Sequence, residues 1–210
     1  MAAHVLVPLK RLDTAKTRLS GLLTPDERAE LMQALLDNAV AAAQAAHGVD
    51  AVSIVSSEPL AAGRGVPVWD DRGLRWNEAL LEATRALVTE DTVVFLSADI
   101  PLVTAADVEA LLGATPARGI AVGRALDAGT NAVALRPPGA FTTCFGQMGS
   151  AALHAQIARE AGLEATIIDR PGLALDLDSP DDVERYLRDA PSSPVRALLQ
   201  PIFERGKVNA

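Results

Sequence analysis

The stretch Thr92-Val93-Val94-Phe95-Leu96-Ser97-Ala98-Asp99-Ile100-Pro101 reads as a buried strand with a polar turn at its end. Residues 92–97 form a near-continuous apolar run, and a strand that is apolar on both alternating faces belongs in a parallel sheet covered on both sides. This segment is therefore expected to be the central strand. Outward from it, residues 4–9 form a second short apolar run that ends near Pro8 and opens into a polar loop over 10–17. Thr24-Pro25-Asp26-Glu27 places an N-cap, a proline at the first helical position and a glutamate three residues after the cap, which predicts a helix running to Gly48. Leu31, Leu35, Asn38 and Ala42 give that helix one face, and Met32, Leu36, Val40 and Ala43 give the neighbouring one. Further strands are expected over 51–56, 66–69, 120–126, 131–135 and 165–169, with helices over 76–90, 104–112, 150–161 and 180–188. The alternation predicts an α/β fold, an open and mostly parallel sheet with helices on both faces. In such sheets ligands bind outside the carboxyl ends of the strands, so function is expected in the loops 10–18, 70–77, 98–102, 127–131 and 175–180.

Composition narrows the function classes. The 210 residues suit one domain over 1–190, and the segment 191–210 after Ala190-Pro191-Ser192-Ser193-Pro194 reads as a C-terminal helical tail. Val195, Leu198, Leu199, Ile202 and Phe203 recur at helical spacing in that tail, so it either docks on the body or packs against a second copy as a homodimer. Acidic residues outnumber basic ones, 27 to 19, and the net charge of −8 argues against nucleic acid or an anionic membrane as partner. No run reaches the roughly 18 apolar residues of a membrane span, and the N-terminal stretch lacks the form of a signal peptide. Cys144 is the only cysteine, which excludes an internal disulfide and fits a cytoplasmic setting. It reads as a small buried hydrophobe, and the dispersed His4, His47 and His154 read as structural. There is no G-x-S-x-G elbow, so hydrolytic acyl chemistry is disfavoured.

Against this acidic background, Lys10, Arg11, Lys16 and Arg18 concentrate four cations after the first strand. They form either a solvated basic turn or the local patch that an anion requires. The loop has neither G-x-x-x-x-G-K-[ST] nor G-x-G-x-x-G, so side-chain cations, rather than glycine amides, would have to carry phosphate binding. Asp99 is placed either to cap a turn ahead of Pro101 or to present a carboxylate to Mg²⁺, a hard cation that prefers oxygen ligands. Asp176 and Asp178 are two apart in an extended segment and point the same way, which suits one metal; Asp178 and Ser179 equally suit a helix cap before Pro180. Gly129-Thr130-Asn131 and Gly146-Gln147-Met148-Gly149-Ser150 are donor-rich turns, the second opening a helix whose N-terminal amides favour an anion, with Ser150 as both cap and ligand. Asn77, after Trp76, reads as a helix cap on its own chemistry.

Taken in order, Val7-Pro8-Leu9-Lys10, Ala15-Lys16-Thr17-Arg18-Leu19, Trp76-Asn77-Glu78-Ala79-Leu80, Ala98-Asp99-Ile100-Pro101-Leu102, Gly129-Thr130-Asn131, Phe145-Gly146 through Ser150 to His154, and Asp176-Leu177-Asp178-Ser179-Pro180 resemble one family from Val5 to about Tyr186. The chain resembles the phosphoenolpyruvate or 2-phospho-L-lactate guanylyltransferases of coenzyme F-420 biosynthesis. The resemblance implies a Rossmann-like mixed sheet of the nucleotide-diphospho-sugar transferase, glycosyltransferase-A type. It also implies GTP and a small phosphoacid as substrates, Mg²⁺ as cofactor and pyrophosphate as a product. By matching position, Thr130, Ser150 and either Gly146 or Gly149 would hold the phosphoacid. Two glycines remain in play because the family commonly has two residues between Phe-Gly and Ser, where this chain has three between Gly146 and Ser150. Lys10, Lys16 and Asn77 would contact the nucleotide, and Asp99, Asp176 and Asp178 would hold metal. Lys16, Arg18 and Asp99 would act in catalysis. Phosphoenolpyruvate is the expected acceptor; 2-phospho-L-lactate or 3-phosphoglycerate, or a non-catalytic nucleotide-binding role on the same fold, are the alternatives.

Overall fold

The computed structural model describes residues 2–9 and 16–208, with the side chains of 207 and 208 set aside, so the candidate cations Lys10 and Arg11 lie outside the described residues. Its strands are β1 (Ala3–Pro8), β2 (Val49–Val55), β3 (Val68–Trp69), β4 (Thr92–Leu96), β5 (Gly119–Arg124), β6 (Thr130–Arg136) and β7 (Glu164–Ile168). They form one sheet in the order β3-β2-β1-β4-β6-β5-β7, which puts β4 in the middle. Only β6 runs against its neighbours: it pairs antiparallel with β4 and β5, while the other pairings are parallel. The helices are α1 (Pro25–Ala45), α2 (Trp76–Leu87), α3 (Ala105–Ala114), α4 (Ser150–Glu160), the four-residue α5 (Pro171–Ala174), α6 (Pro180–Asp189) and α7 (Pro194–Val208).

Alternation along the strands divides the core in two. Val5, Val7, Val94 and Leu96 face one side, where they pack with residues of α1, α3, α6 and α7. Leu6, Val93, Phe95, Val133 and Leu135 face the other, against α2 and α4. Side chains of this size contribute about 1.5–3 kcal/mol each when fully buried. Both faces of β4 are thus shielded, the physical reason for its unbroken apolar run.

The start of α1 follows its capping signal. Thr24 Oγ1 accepts from the Glu27 amide at 3.2 Å, and the Glu27 carboxylate accepts from the Thr24 amide at 2.8 Å. Such a box contributes about 1 kcal/mol. The helix ends at Ala45, short of the expected Gly48, because Val49 already belongs to β2. Leu31, Leu35, Met32, Leu36, Val40, Ala42 and Ala43 are buried as expected. Asn38 instead reaches the carbonyls of Pro101 and Val103 from a half-buried position, tying α1 to the turn after β4. In α2, Leu80 is buried, but Leu81 and Leu87, expected to point inward, are only half-buried.

The tail helix α7 lies on α1 and α6. Val195, Leu199 and Ile202 are buried there, the Tyr186 hydroxyl meets Ser193 Oγ at 2.7 Å, and Arg205 pairs with Glu27 at 2.9 Å. Among the described residues, no helix is long and apolar enough to cross a membrane.

Candidate active site

Strand direction gathers the site at one edge of the sheet. β1, β4 and β5 end there, and because β6 is reversed it begins there, so Thr130 and Asn131 stand beside the end of β4. The bond from Ser97 N–H to Asn131 O, 2.9 Å, fixes that junction. The result is a cleft of about 550 Å³, lined by Lys16, Arg18, Asp99, Thr130, Ser150 and Asp176 among others.

The acidic segment is drawn in from far along the chain. Leu177 N–H donates to Asp99 O at 3.1 Å, and Asn131 Nδ2 donates to Leu173 O at 3.0 Å and to Asp176 Oδ1 at 3.4 Å. Leu175 and Leu177 are buried while Asp176 and Asp178 between and after them are half-buried, so alternation sends both carboxylates to the cleft. Behind this segment, Gly172 sits so close to its neighbours that a Cβ would lie 2.0 Å from Asp107 Oδ2 and 2.9 Å from Leu102 O. Only glycine allows that approach.

Oxygens of Asp99, Asp176 and Asp178 all lie within 4.8 Å of one another. Burial and the two neighbouring carboxylates push the Asp176 carboxyl up to about 6, while Asn131 and Lys16 pull the other way. Lys16 approaches the same cluster: its Nζ lies 2.7 Å from Asp99 Oδ2 and 2.6 Å from Asp178 Oδ1. The lysine backbone is left-handed at φ 55°, a costly conformation for a residue with a Cβ, and its side chain is buried. Burial opposes the charge on Lys16, yet the two carboxylates outweigh it and hold the ammonium above its usual value. Arg18 is exposed on the cleft rim.

The opposite wall carries hydroxyls. Ser150 Oγ donates to Thr130 Oγ1 at 2.9 Å, and both residues are buried, with His154 in contact behind them. Gly149 (φ 68°) is the N-cap of α4, and Gly146 (φ 81°) precedes it in the same turn; both line the cleft with open space around them. Ser150 is therefore the first helical residue, not the cap as expected. The amides of Ser150 and Ala151 are bonded to Gln147 O and Ala128 O, so at this helix start the side-chain hydroxyls, rather than those amides, are offered to a ligand.

Asn77 takes a different place from the one expected. The N-cap of α2 is Arg75. Asn77 Oδ1 accepts from Thr143 Oγ1 at 2.8 Å and from Phe145 N–H at 3.0 Å, and Nδ2 donates to Phe145 O at 3.2 Å. With both ends of its amide engaged, it brackets the segment that carries Phe145, and it is not among the residues lining the cleft. Cys144 is buried and its thiol is pushed up to about 11 by desolvation, which suits an inert packing residue. His154, read from sequence as merely structural, joins the hydroxyl pair. Its spacing of four from Ser150 on a helix was the available signal.

The residues 3–191 match the model of the family described as guanylyl transferase CofC like. The chain is 43% identical over 198 residues to the phosphoenolpyruvate guanylyltransferase of Sphaerobacter thermophilus, covering 91% of this chain and 95% of that protein. It is 34% identical over 194 residues to the 2-phospho-L-lactate guanylyltransferase of Haloarcula marismortui, covering 91% and 88%. In fold it is similar to a Desulfovibrio desulfuricans G20 protein described as a nucleotide-diphospho-sugar transferase, with TM-score 0.78, 20% identity and 97% of each chain covered.

Proposed function

The chain belongs to the CofC-like guanylyl transferase family, and on that premise we propose that it joins GTP to phosphoenolpyruvate in the cytoplasm, giving enolpyruvyl-diphospho-5'-guanosine and pyrophosphate for coenzyme F-420 biosynthesis. The acceptor assignment follows the greater identity to the phosphoenolpyruvate enzyme, 43% against 34% for the phospholactate one. The observation that carries the reading is the cleft itself. Three converging carboxylates with a lysine face two paired hydroxyls across one cavity large enough for small anionic ligands.

The acceptor's phosphate is already anionic at neutral pH, so its oxygen attacks the α-phosphorus of GTP without a general base, and the α–β bridging oxygen leaves with pyrophosphate. The protein's work is alignment and charge neutralisation. Thr130 and Ser150, with Gly146 or Gly149 leaving room for the ligand, hold the acceptor. Lys16 and Arg18 meet the polyphosphate as negative charge builds on the leaving group, with Lys10 a further nucleotide contact.

Asp99, Asp176 and Asp178 would hold Mg²⁺. An all-oxygen, all-carboxylate donor set suits this ion, and three carboxylates against one ammonium leave negative charge that a divalent cation would neutralise. Bound there, the metal would supply Lewis-acid neutralisation of the phosphates.

Pyrophosphate release measured for phosphoenolpyruvate, 2-phospho-L-lactate and 3-phosphoglycerate, each with GTP and with ATP, tests the reading. Fastest release with phosphoenolpyruvate and GTP is expected. Faster release with phospholactate would move the acceptor assignment, and no release with any pair would refute a catalytic role.

A further inference from the structure

His154 is a fully buried imidazole whose two nitrogens are both engaged, behind the cleft-lining residues Thr130 and Ser150. Nε2 lies 2.9 Å from the Cys144 amide, which can only donate, so Nε2 is the unprotonated nitrogen and the hydrogen of the neutral ring sits on Nδ1. Nδ1 in turn lies 2.8 Å from Ser150 O and 3.1 Å from Thr130 Oγ1. A protonated Nδ1 cannot accept the Thr130 hydrogen. Ser150 Oγ–H already donates to the same Thr130 oxygen at 2.9 Å. The single Nδ1 hydrogen goes chiefly to the nearer Ser150 O, which can only accept, and its longer branch reaches Thr130 Oγ1; neither Nδ1 nor the donating Ser150 hydroxyl takes the Thr130 hydrogen, which is left for a ligand, and Thr130 lines the cleft.

The ring is fixed in this role by its surroundings. Phe145 and Phe141 stand edge-on to it, with centroids 5.0 Å and 6.1 Å away, and desolvation pushes its basicity down to about 4, so it stays neutral through the physiological range. We propose that His154 is a positioning residue for acceptor binding: locked as the Nδ1–H tautomer by the Cys144 amide, it turns the Thr130 hydroxyl into an obligate donor toward the phosphate or carboxylate oxygen of the acid substrate. The inference rests on the reading of Thr130 and Ser150 as acceptor-binding hydroxyls.

The test combines kinetics with a direct view of the ring. Long-range ¹⁵N–¹H correlation of the wild-type protein is expected to show His154 protonated at Nδ1; a proton on Nε2 overturns the proposal. His154→Phe keeps the ring packing but removes the Nδ1–H that anchors Ser150 O and the Thr130 oxygen, so the hydroxyl pair loses its fixed orientation, and KM for phosphoenolpyruvate should rise about tenfold or more while KM for GTP stays within about twofold. His154→Asn restores an N–H near the Nδ1 position and should recover most of that loss, and it serves as the working variant if the phenylalanine form does not fold. In a Thr130→Val background, where no hydroxyl remains to orient, His154→Phe should add less than about twofold. Effects that multiply in the double variant, or equal losses toward both substrates, mean that the ring acts only through general packing. If active wild type shows that outcome, the inference alone fails; if wild type turns over no acceptor at all, the functional reading fails and takes the inference with it.

Discussion

Lys16 Nζ lies 2.7 Å from Asp99 Oδ2 although the two residues are 83 positions apart in sequence. With Asp178 completing the contact at 2.6 Å, an internal ammonium occupies part of the oxygen cluster proposed for Mg²⁺. A metal bound there would compete with the ammonium for the same lone pairs. Lys16→Met keeps the aliphatic stem and removes the competitor, so it should tighten Mg²⁺ binding to the nucleotide-free protein by up to about tenfold while slowing turnover. Calorimetric titration with Mg²⁺ alone checks this; unchanged or weaker binding would contradict it.

Gly172 is the point where the acidic segment is pinned to α3. A Cβ there would meet Asp107 Oδ2 at 2.0 Å and Leu102 O at 2.9 Å, and Asp107 is itself fixed by Arg170 Nε at 3.0 Å. Overpacking of this kind costs about 1–3 kcal/mol, or several degrees in Tm for a chain of this size. Gly172→Ala should therefore lower Tm and, because Asp176 and Asp178 follow directly, weaken Mg²⁺ binding as well. Thermal melts with and without Mg²⁺ read both effects.

His154 makes stability depend on pH in a definite direction. Its basicity is lowered from 6.5 to about 4 in the fold, chiefly by desolvation, so below pH 6.5 the unfolded chain binds a proton that the native protein refuses. Stability contributed by the neutral ring is full above about pH 6.5 and declines on acidification, by about 2 kcal/mol between pH 7 and pH 5. Asp176 works the other way. Its carboxyl is raised to about 6, so between about pH 4 and pH 6 the native state binds more protons than the unfolded one and gains stability as pH falls. Comparing wild type with His154→Phe cancels the Asp176 contribution: the wild type should lose more Tm between pH 7 and pH 5 than the variant. Equal losses would mean that the ring is charged in the fold.

Local signals were the legible part of this chain. Thr24 and Glu27 announced the start of α1, the apolar run of β4 announced the centre of the sheet, and the two-residue spacing of Asp176 and Asp178 announced a shared direction. What escaped was set by distant partners. The reversal of β6 depends on its pairing with β4 and β5, which no pattern within residues 130–136 encodes. Asn77 looks like a cap until Thr143 and Phe145, 66 and 68 positions away, take both ends of its amide. Lys16 looked like a phosphate ligand on an open loop, and only the convergence of Asp99 and Asp178 shows the charge it rests against.

Asn77 offers a clean separation of support from ligand contact. Asn77→Ala strands the Phe145 amide and removes the bond to the Thr143 hydroxyl, at a cost of about 1–3 kcal/mol. Tm should fall by several degrees, with KM for GTP within about twofold of wild type. A rise of tenfold or more in KM for GTP at unchanged Tm would instead return Asn77 to the nucleotide.

The claim on which the mechanism depends is that Asp99, Asp176 and Asp178 act together as the metal-holding group of a pyrophosphate-releasing centre. Its most direct test is the rate of pyrophosphate release from GTP and phosphoenolpyruvate by the Asp99→Asn protein, read beside its Tm. A rate at least about a hundredfold below wild type, with Tm essentially retained, is expected. A near-normal rate in that folded variant would contradict it.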